Sequence, residues 1–165
     1  EDITNGKFRT LDDLGIIPNP RFVLMSGPLQ LRLGGQWLDL GRLRGAFRLA
    51  LEDIERAEEI ATAAHRCLTV ENETSFHELA KLQSGELLIQ TSYPGSGTLR
   101  LLSRLPVDLE FWHFGDSDEA GFDILRVLRE KSGREFRPLH MEVGRTQFEQ
   151  ESLGRPSLNR WPFYE

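Results

Sequence analysis

The sequence predicts an α/β fold, in which a mostly parallel sheet is flanked by helices and preceded by a small N-terminal β-hairpin extension. From residue 66 onward, short apolar runs alternate with segments whose apolar residues recur every three or four positions. Before residue 45 the apolar runs are short and turn residues are frequent. The length of 165 residues and the hydrophobic fraction of 39% suit a globular chain with its own core.

The first elements are predicted to be strands. Three short apolar runs are typical of strands: residues 22–25, 29–33 and 36–40. The pair Gly34–Gly35 predicts the hairpin turn between the last two of them. We therefore expect residues 1–45 to form a β-rich extension packed on the core, and residues 46–165 to form the main domain.

A helix is predicted next, from about residue 47 to residue 64. Apolar residues recur there at helical spacing, with charged residues between them: Phe47, Leu51, Ile54, Ala57 and Ala61.

Strands and helices are then predicted to alternate. The predicted strands are residues 67–71, 86–91, 109–114 and 137–141. The predicted helices begin at Ser75 with Glu78 completing a capping box, include residues 99–105 before Pro106, and cover residues 119–131. Strand-helix-strand order implies parallel pairing. Binding sites of such sheets lie beyond the carboxyl ends of the strands.

Composition excludes several classes of protein. With Cys67 as its one cysteine, the chain has no internal disulfide or thiolate-based zinc site, and a reducing, cytoplasmic compartment is expected. No apolar run reaches the roughly 18 residues of a membrane span. The net charge of −6 is atypical of a free-standing, non-specific DNA binder. Because the chain opens on Glu1 rather than methionine, we expect it to be the C-terminal part of a longer protein.

Three carboxylates follow predicted strands at their carboxyl ends. Glu71 ends the first strand of the alternating region, and Asp116 and Asp118 follow the third. An oxygen-lined site of this kind suits Mg²⁺ or Mn²⁺, which a substrate phosphate would complete. The alternative is structural: Asp118 caps the next helix and Asp116 stabilises the turn.

Other motifs that carry chemistry fail on particular residues. An EF-hand loop beginning at Asp116 needs glutamate at its twelfth position, where Val127 stands. A P-loop needs Gly-Lys-Ser/Thr after its glycine run, but Gly97 is followed by Thr98 and Leu99. The sequence contains no Gly-x-Ser-x-Gly nucleophile elbow.

Two motifs in these segments resemble a known family. Residues 70–76, Val-Glu-Asn-Glu-Thr-Ser-Phe, are similar to the Val-Glu-Asn-x-Thr-Ser-Phe of JetD-like Toprim domains, which belong to the nuclease subunits of Wadjet plasmid-defence systems. Residues 111–118, Phe-Trp-His-Phe-Gly-Asp-Ser-Asp, together with Gly121, are similar to that family's aromatic-rich strand and Gly-Asp-x-Asp-x-x-Gly. Residues 91–95 match the intervening loop, and the resemblance covers about residues 66–142.

The resemblance implies a Toprim catalytic domain, related to the A subunits of type IIB topoisomerases, over residues 46–165. It implies a divalent-metal-dependent DNA endonuclease that hydrolyses phosphodiester bonds in anti-plasmid or anti-phage defence. Glu71, Asp116 and Asp118 are the implied catalytic and metal-binding residues, with Mg²⁺ or Mn²⁺ as cofactor. Double-stranded DNA, a homodimer and an SMC-type motor complex are the implied partners. Glu73 departs from the family, which usually has an apolar residue at that position.

Several polar residues near the carboxylates are candidates for phosphate contacts. Ser92 and the backbone of Gly95 lie in the loop after the second core strand. Arg100 and Arg104 lie one helical turn apart beyond that loop, where they could follow a DNA backbone or simply be solvated.

Two further residues have open or structural interpretations. Asn72 either positions Glu71 or caps the helix that follows. His113 lies within a strand and is predicted to be an interior histidine whose hydrogen bonds are satisfied.

Two functions of other classes compete with the nuclease. The first is a non-catalytic Toprim module that binds DNA or a partner to assemble a complex. The second is phosphoryl transfer on a small molecule or RNA.

Overall fold

A computed structural model describes residues 21–141, and within them the strands and helices confirm the predicted α/β class. The strands are β1 (Phe22–Ser26), β2 (Gln30–Leu33), β3 (Gln36–Asp39), β4 (Phe47–Ala50), β5 (Glu59–Ala61), β6 (Arg66–Val70), β7 (Leu87–Gln90), β8 (Glu110–Phe114) and β9 (Phe136–Pro138). The helices are α1 (Leu51–Arg56), α2 (Glu73–Leu82), α3 (Ser96–Arg104) and α4 (Glu119–Ser132). Predictions for residues 1–20 and 142–165 lie outside the described residues.

The main sheet has six strands in the order β4-β1-β7-β6-β8-β9. β6 pairs in parallel with β7 and with β8, and β8 pairs in parallel with β9. β1 pairs antiparallel with β4 and β7. The predicted hairpin is present as β2 and β3, which form a second sheet with β5. β1 precedes residue 45 yet lies inside the main sheet, and the division into domains stays a prediction.

β6 is the central strand of the fold because its side chains are buried on both faces. Residues 67–70 are all buried, which is typical of a parallel strand covered by helices on each side. Leu68 and Val70 pack with Phe76 of α2 on one face. On the other face Cys67 belongs to the larger core, to which α1, α3 and α4 contribute. Burial raises the pKa of the Cys67 thiol, so this cysteine is not a thiolate nucleophile.

The helix predicted over residues 47–64 is wrong. The structure has β4, the short helix α1 and then β5 in that segment. β4 pairs with β1, so that Leu49 lies opposite Val23, and β5 pairs with β2, so that Ile60 lies opposite Leu31. Hydrogen bonding to these two distant strands overrides the local helical spacing of apolar residues.

Two other predicted boundaries shift. α2 begins at Glu73 rather than Ser75, because the side chain of Asn72 accepts a hydrogen bond from the Ser75 amide at 3.1 Å and caps the helix. Asn72 is therefore a helix cap. The last predicted strand is shorter than expected and is displaced to Phe136–Pro138.

Replacement of Gly27 by alanine should destabilise the chain strongly. Gly27 has a φ of +112°, and a Cβ atom there would overlap the backbone carbonyl of Glu86. We expect the free energy of unfolding to fall by about 2 kcal/mol or more, measured by urea denaturation. Gly34→Ala is the matched control, because its φ is +56° but no atom lies within 4 Å of the added carbon. It should cost about 1 kcal/mol, and equal losses would contradict the steric explanation.

Candidate functional site

The candidate site lies at the edge of the main sheet where β6, β7 and β8 end. Val70, the last residue of β6, is paired with Gln90 of β7 and Phe114 of β8. The segments that follow these strands therefore leave the sheet side by side. They carry Glu71, Ser92, and residues 115–118, as the sequence predicts.

Glu71 connects two of these segments. Its amide donates to the Phe114 carbonyl at 2.9 Å, and its own carbonyl accepts from the side-chain amide of Gln90 at 3.0 Å. The half-buried carboxylate reaches across to the loop after β8, where Oε2 accepts a hydrogen bond from the Asp116 amide at 3.1 Å. Glu71 and Asp116 are thus neighbours although 45 positions separate them.

The turn that carries Asp116 and Asp118 is closed by α4. Oδ1 of Asp118 accepts a hydrogen bond from the Gly121 amide at 2.8 Å, so Asp118 is the N-cap of that helix. A Cβ atom at Gly121 would overlap the backbone of Asp116, so only glycine allows the turn to fold this tightly. The carboxylates of Asp116 and Asp118 are both exposed. The cap occupies one oxygen of Asp118, which is compatible with a ligand on the other.

The three carboxylates share one edge of the sheet without forming a closed ligand cluster. Among residues 21–141, no group of three or more His, Cys, Asp or Glu side chains is arranged to hold a metal ion. The predicted metal site therefore stays a prediction. Mg²⁺ is commonly held by one or two carboxylates, with waters and substrate phosphate as its other ligands.

His113 is a polar group at this edge that the sequence analysis did not place in the site. The side chain is fully buried, and Nδ1 lies 2.8 Å from the hydroxyl of Thr69. Nε2 has no hydrogen-bond partner among the described residues, so only half of the ring is satisfied. A Cβ atom at Gly115 would lie 2.6 Å from Nε2 and 2.8 Å from Oε2 of Glu71. The ring nitrogen and the carboxylate therefore border the same small space.

Burial lowers the pKa of His113 from 6.5 to about 4, because the charged imidazolium is poorly solvated there. The imidazole is therefore neutral at physiological pH. The register of β6 and β8, which sets Thr69 opposite His113, is the signal that could have identified this residue. The sequence alone does not give that register.

The loop after β7 lines an open cavity of about 450 Å³ next to this edge. Ser92 and Gly95 lie in its wall, together with Arg21, whose guanidinium donates to the Ser96 hydroxyl at 3.0 Å. Sequence reasoning missed Arg21, since 75 positions separate it from Ser96. On the neighbouring side, the Tyr93 hydroxyl donates to the Asp123 carboxylate at 2.9 Å and thereby links this loop to α4.

The two predicted arginines differ in their surroundings. Arg100 is exposed on α3. Arg104 is half-buried, and its guanidinium donates to the carbonyls of Ile54 and Ala57 at the end of α1. Arg104 therefore holds α1 against α3, and a DNA contact by either arginine stays a prediction.

Comparison with known proteins identifies the family. The family model described as Wadjet protein JetD, C-terminal, matches residues 31–160. The chain belongs to this JetD C-terminal family. The match includes Glu71, His113, Asp116 and Asp118, and it confirms the JetD resemblance. The relation to Toprim domains stays a prediction.

A curated relative agrees with the family assignment. The Wadjet protein JetD of Bacillus cereus (strain Q1) is 28% identical over 139 residues, which are 81% of this chain and 34% of that protein. The JetD-family chain thus spans about a third of its relative's length. Within residues 21–141, no helix is both long enough and apolar enough to cross a membrane.

Arg104→Ala should destabilise the fold, because it leaves the Ile54 and Ala57 carbonyls without their donor. We expect the free energy of unfolding to fall by about 1–3 kcal/mol in urea denaturation. Arg100→Ala, one helical turn away and exposed, should change it by less than about 0.5 kcal/mol. Equal effects of the two variants would show that Arg104 does not have this structural role.

The pKa of His113 should make stability depend on pH. Below pH 6.5 the unfolded chain takes up a proton at this histidine, whereas the folded chain does so only near pH 4. The free energy of unfolding should therefore decrease as the pH falls from 6.5 to 4, by up to about 1.4 kcal/mol per pH unit from this residue. Below pH 4 this contribution should level off. Denaturation of His113→Gln across the same range should lack that component, and an unchanged slope would contradict the assignment.

Proposed function

We propose that this chain is the catalytic part of a divalent-metal-dependent DNA endonuclease that acts in Wadjet plasmid defence. The observation that carries the proposal is the hydrogen bond from the Asp116 amide to Glu71, which joins two carboxylate-bearing segments at the sheet edge. Membership of the JetD family supports it. The proposal includes a Toprim-type site and a cytoplasmic location.

The residues present fit a divalent cation in two respects. Carboxylate oxygens are the ligands that Mg²⁺ and Mn²⁺ prefer, and Glu71, Asp116 and Asp118 would supply them. In addition, the space in front of Gly115 is bordered by a carboxylate oxygen and by a buried nitrogen without a partner. When bound, the cation would activate water and neutralise charge on the phosphate.

The chain's own residues would prepare the site before DNA arrives. The hydrogen bond from Asp116 orients the Glu71 carboxylate, and its oxygens are the candidate base for an attacking water. The Asp118 cap and Gly121 fix the turn that aims both aspartates outward. Preorganised groups of this kind lower the reorganisation needed during reaction.

Duplex DNA would be held through its phosphates beside the carboxylates. Ser92, the Gly95 backbone and Arg21 line the adjoining cavity, and Arg100 is exposed on the helix beyond it. With a net charge of −6, the chain supplies little general attraction to DNA. We therefore propose that a homodimer and other Wadjet proteins, including an SMC-type motor complex, contribute to DNA engagement.

A second candidate is a non-catalytic module that binds DNA or a partner. Its support is the absence, over residues 21–141, of three metal-ligating side chains arranged around one point. This candidate predicts that replacement of the carboxylates leaves function unchanged as long as the fold is intact.

Cleavage of supercoiled plasmid by the complete protein with Mg²⁺ distinguishes the two candidates. Glu71→Gln and Asp116→Asn should each reduce the cleavage rate by about 100-fold or more, because both remove oxygens of the proposed site. Glu73→Gln is the matched control, since Glu73 is exposed and its carboxylate lies 3.6 Å from His77 on α2. It should cleave at the wild-type rate.

Other results would contradict the nuclease. Wild-type cleavage by Glu71→Gln would exclude the proposed site. DNA binding by the wild-type protein, without cleavage in Mg²⁺ or Mn²⁺, would favour the assembly module. Circular dichroism of each variant should match the wild type, because all three substitutions preserve side-chain size.

A further inference from the structure

We propose that Nε2 of His113 is a nitrogen ligand of the divalent cation at the Glu71–Asp116 edge, which makes the site a mixed nitrogen and oxygen site. The inference rests on the metal-dependent function proposed above and adds a ligand that the three carboxylates do not include. His113 lies on β8, directly beneath the loop that carries Asp116.

The burial of His113 is the first argument. Its side chain has 0% exposure, yet Nε2 lacks a hydrogen-bond partner among the described residues. A buried polar atom without a partner loses its hydration without compensation, which typically costs about 1–3 kcal/mol. Such an atom is rare in a folded protein unless a water, an ion or a ligand satisfies it.

The hydrogen bonds of Thr69 determine which ring nitrogen carries the proton. The Thr69 hydroxyl lies 3.3 Å from the Trp112 carbonyl, to which it can only donate, and 2.8 Å from Nδ1 of His113. One hydroxyl hydrogen serves one acceptor, so both contacts are made together only when Nδ1–H donates to the threonine oxygen. Nε2 then carries a free lone pair.

This arrangement is that of a metal-binding histidine. Metal-ligating imidazoles are neutral, and the ring nitrogen away from the metal commonly donates to an oxygen of the protein that fixes ring orientation. Thr69 has that position here, on the neighbouring strand and fully buried. Thr69 is accordingly a positioning residue and His113 the ligand.

The space in front of Nε2 is open because residue 115 is glycine. A Cβ there would lie 2.6 Å from Nε2 and 2.8 Å from Oε2 of Glu71, so both atoms border the volume that the missing side chain leaves. Nε2 and the ionised carboxylate are both electron-pair donors. A cation between them satisfies both atoms at once, whereas no protein hydrogen-bond donor does so among residues 21–141.

A nitrogen ligand changes which cations the site prefers. Imidazole suits transition-metal ions, whereas Mg²⁺ and Ca²⁺ are bound mainly by oxygen. We therefore expect the chain to bind Mn²⁺ more tightly than Mg²⁺, and to lose much of that preference without the imidazole.

Electron paramagnetic resonance with MnCl₂ tests the ligand directly and requires no cleavage. Electron spin-echo envelope modulation of the wild-type chain with bound Mn²⁺ should show nitrogen coupling, which changes when histidine is labelled with ¹⁵N. His113→Leu should lack this coupling and bind Mn²⁺ at least about 10-fold more weakly. His77→Ala is the matched control, because His77 is half-exposed on α2 and should leave both measurements unchanged.

Thr69→Val provides a second variant if His113→Leu does not fold. It keeps the volume of the threonine but removes the acceptor for Nδ1–H, so Mn²⁺ affinity should decrease by about 10-fold while the ligand is still present. Bound Mn²⁺ without nitrogen coupling in the wild-type chain would overturn the role of His113 and leave the carboxylate site standing. If the wild-type chain binds no Mn²⁺, the proposed metal-dependent function fails together with the ligand.

Discussion

The parallel pairing of β6 with both β7 and β8 is the constraint on which the candidate site depends. In this register Val70 ends β6 beside Gln90 and Phe114, so three chain segments leave the sheet at one level. Burial of residues 67–70 on both faces holds β6 in this register, because a shift by one residue would exchange its two faces. The position of Glu71 beside Asp116 follows from the packing of the core.

The segments beyond the strands are closed by short-range chemistry suited to tight turns. Asn72 caps α2 and Asp118 caps α4, so each segment becomes a helix within two or three residues. Gly115 and Gly121 remove the side chains that would separate these segments. A capping aspartate and a metal-binding aspartate are therefore compatible roles for one residue. In the same way, the structural explanation that the sequence offers for Asp118 does not exclude the chemical one.

Local pattern and long-range pairing conflict in residues 47–64. The apolar residues recur at helical spacing there, but only Leu51–Arg56 is helical. The flanking residues instead extend the two sheets, as β4 beside β1 and β5 beside β2. A six-residue helix gains little by itself, since nucleation is costly and short helices depend on packing. Arg104 ends α1 from another helix, through the carbonyls of Ile54 and Ala57.

The sequence by itself determined the α/β class, the alternation of strands and helices after residue 66, and the positions of Glu71, Asp116 and Asp118 after strands. These features are local, because periodicity, caps and turn residues are encoded within a few positions. Only the tertiary structure decided that β1 lies within the main sheet, that Arg104 holds α1, and that Nε2 of His113 borders the same space as Glu71. Each of these depends on partners 40 or more positions apart, whose approach is set by strand register and core packing, which a local pattern does not encode.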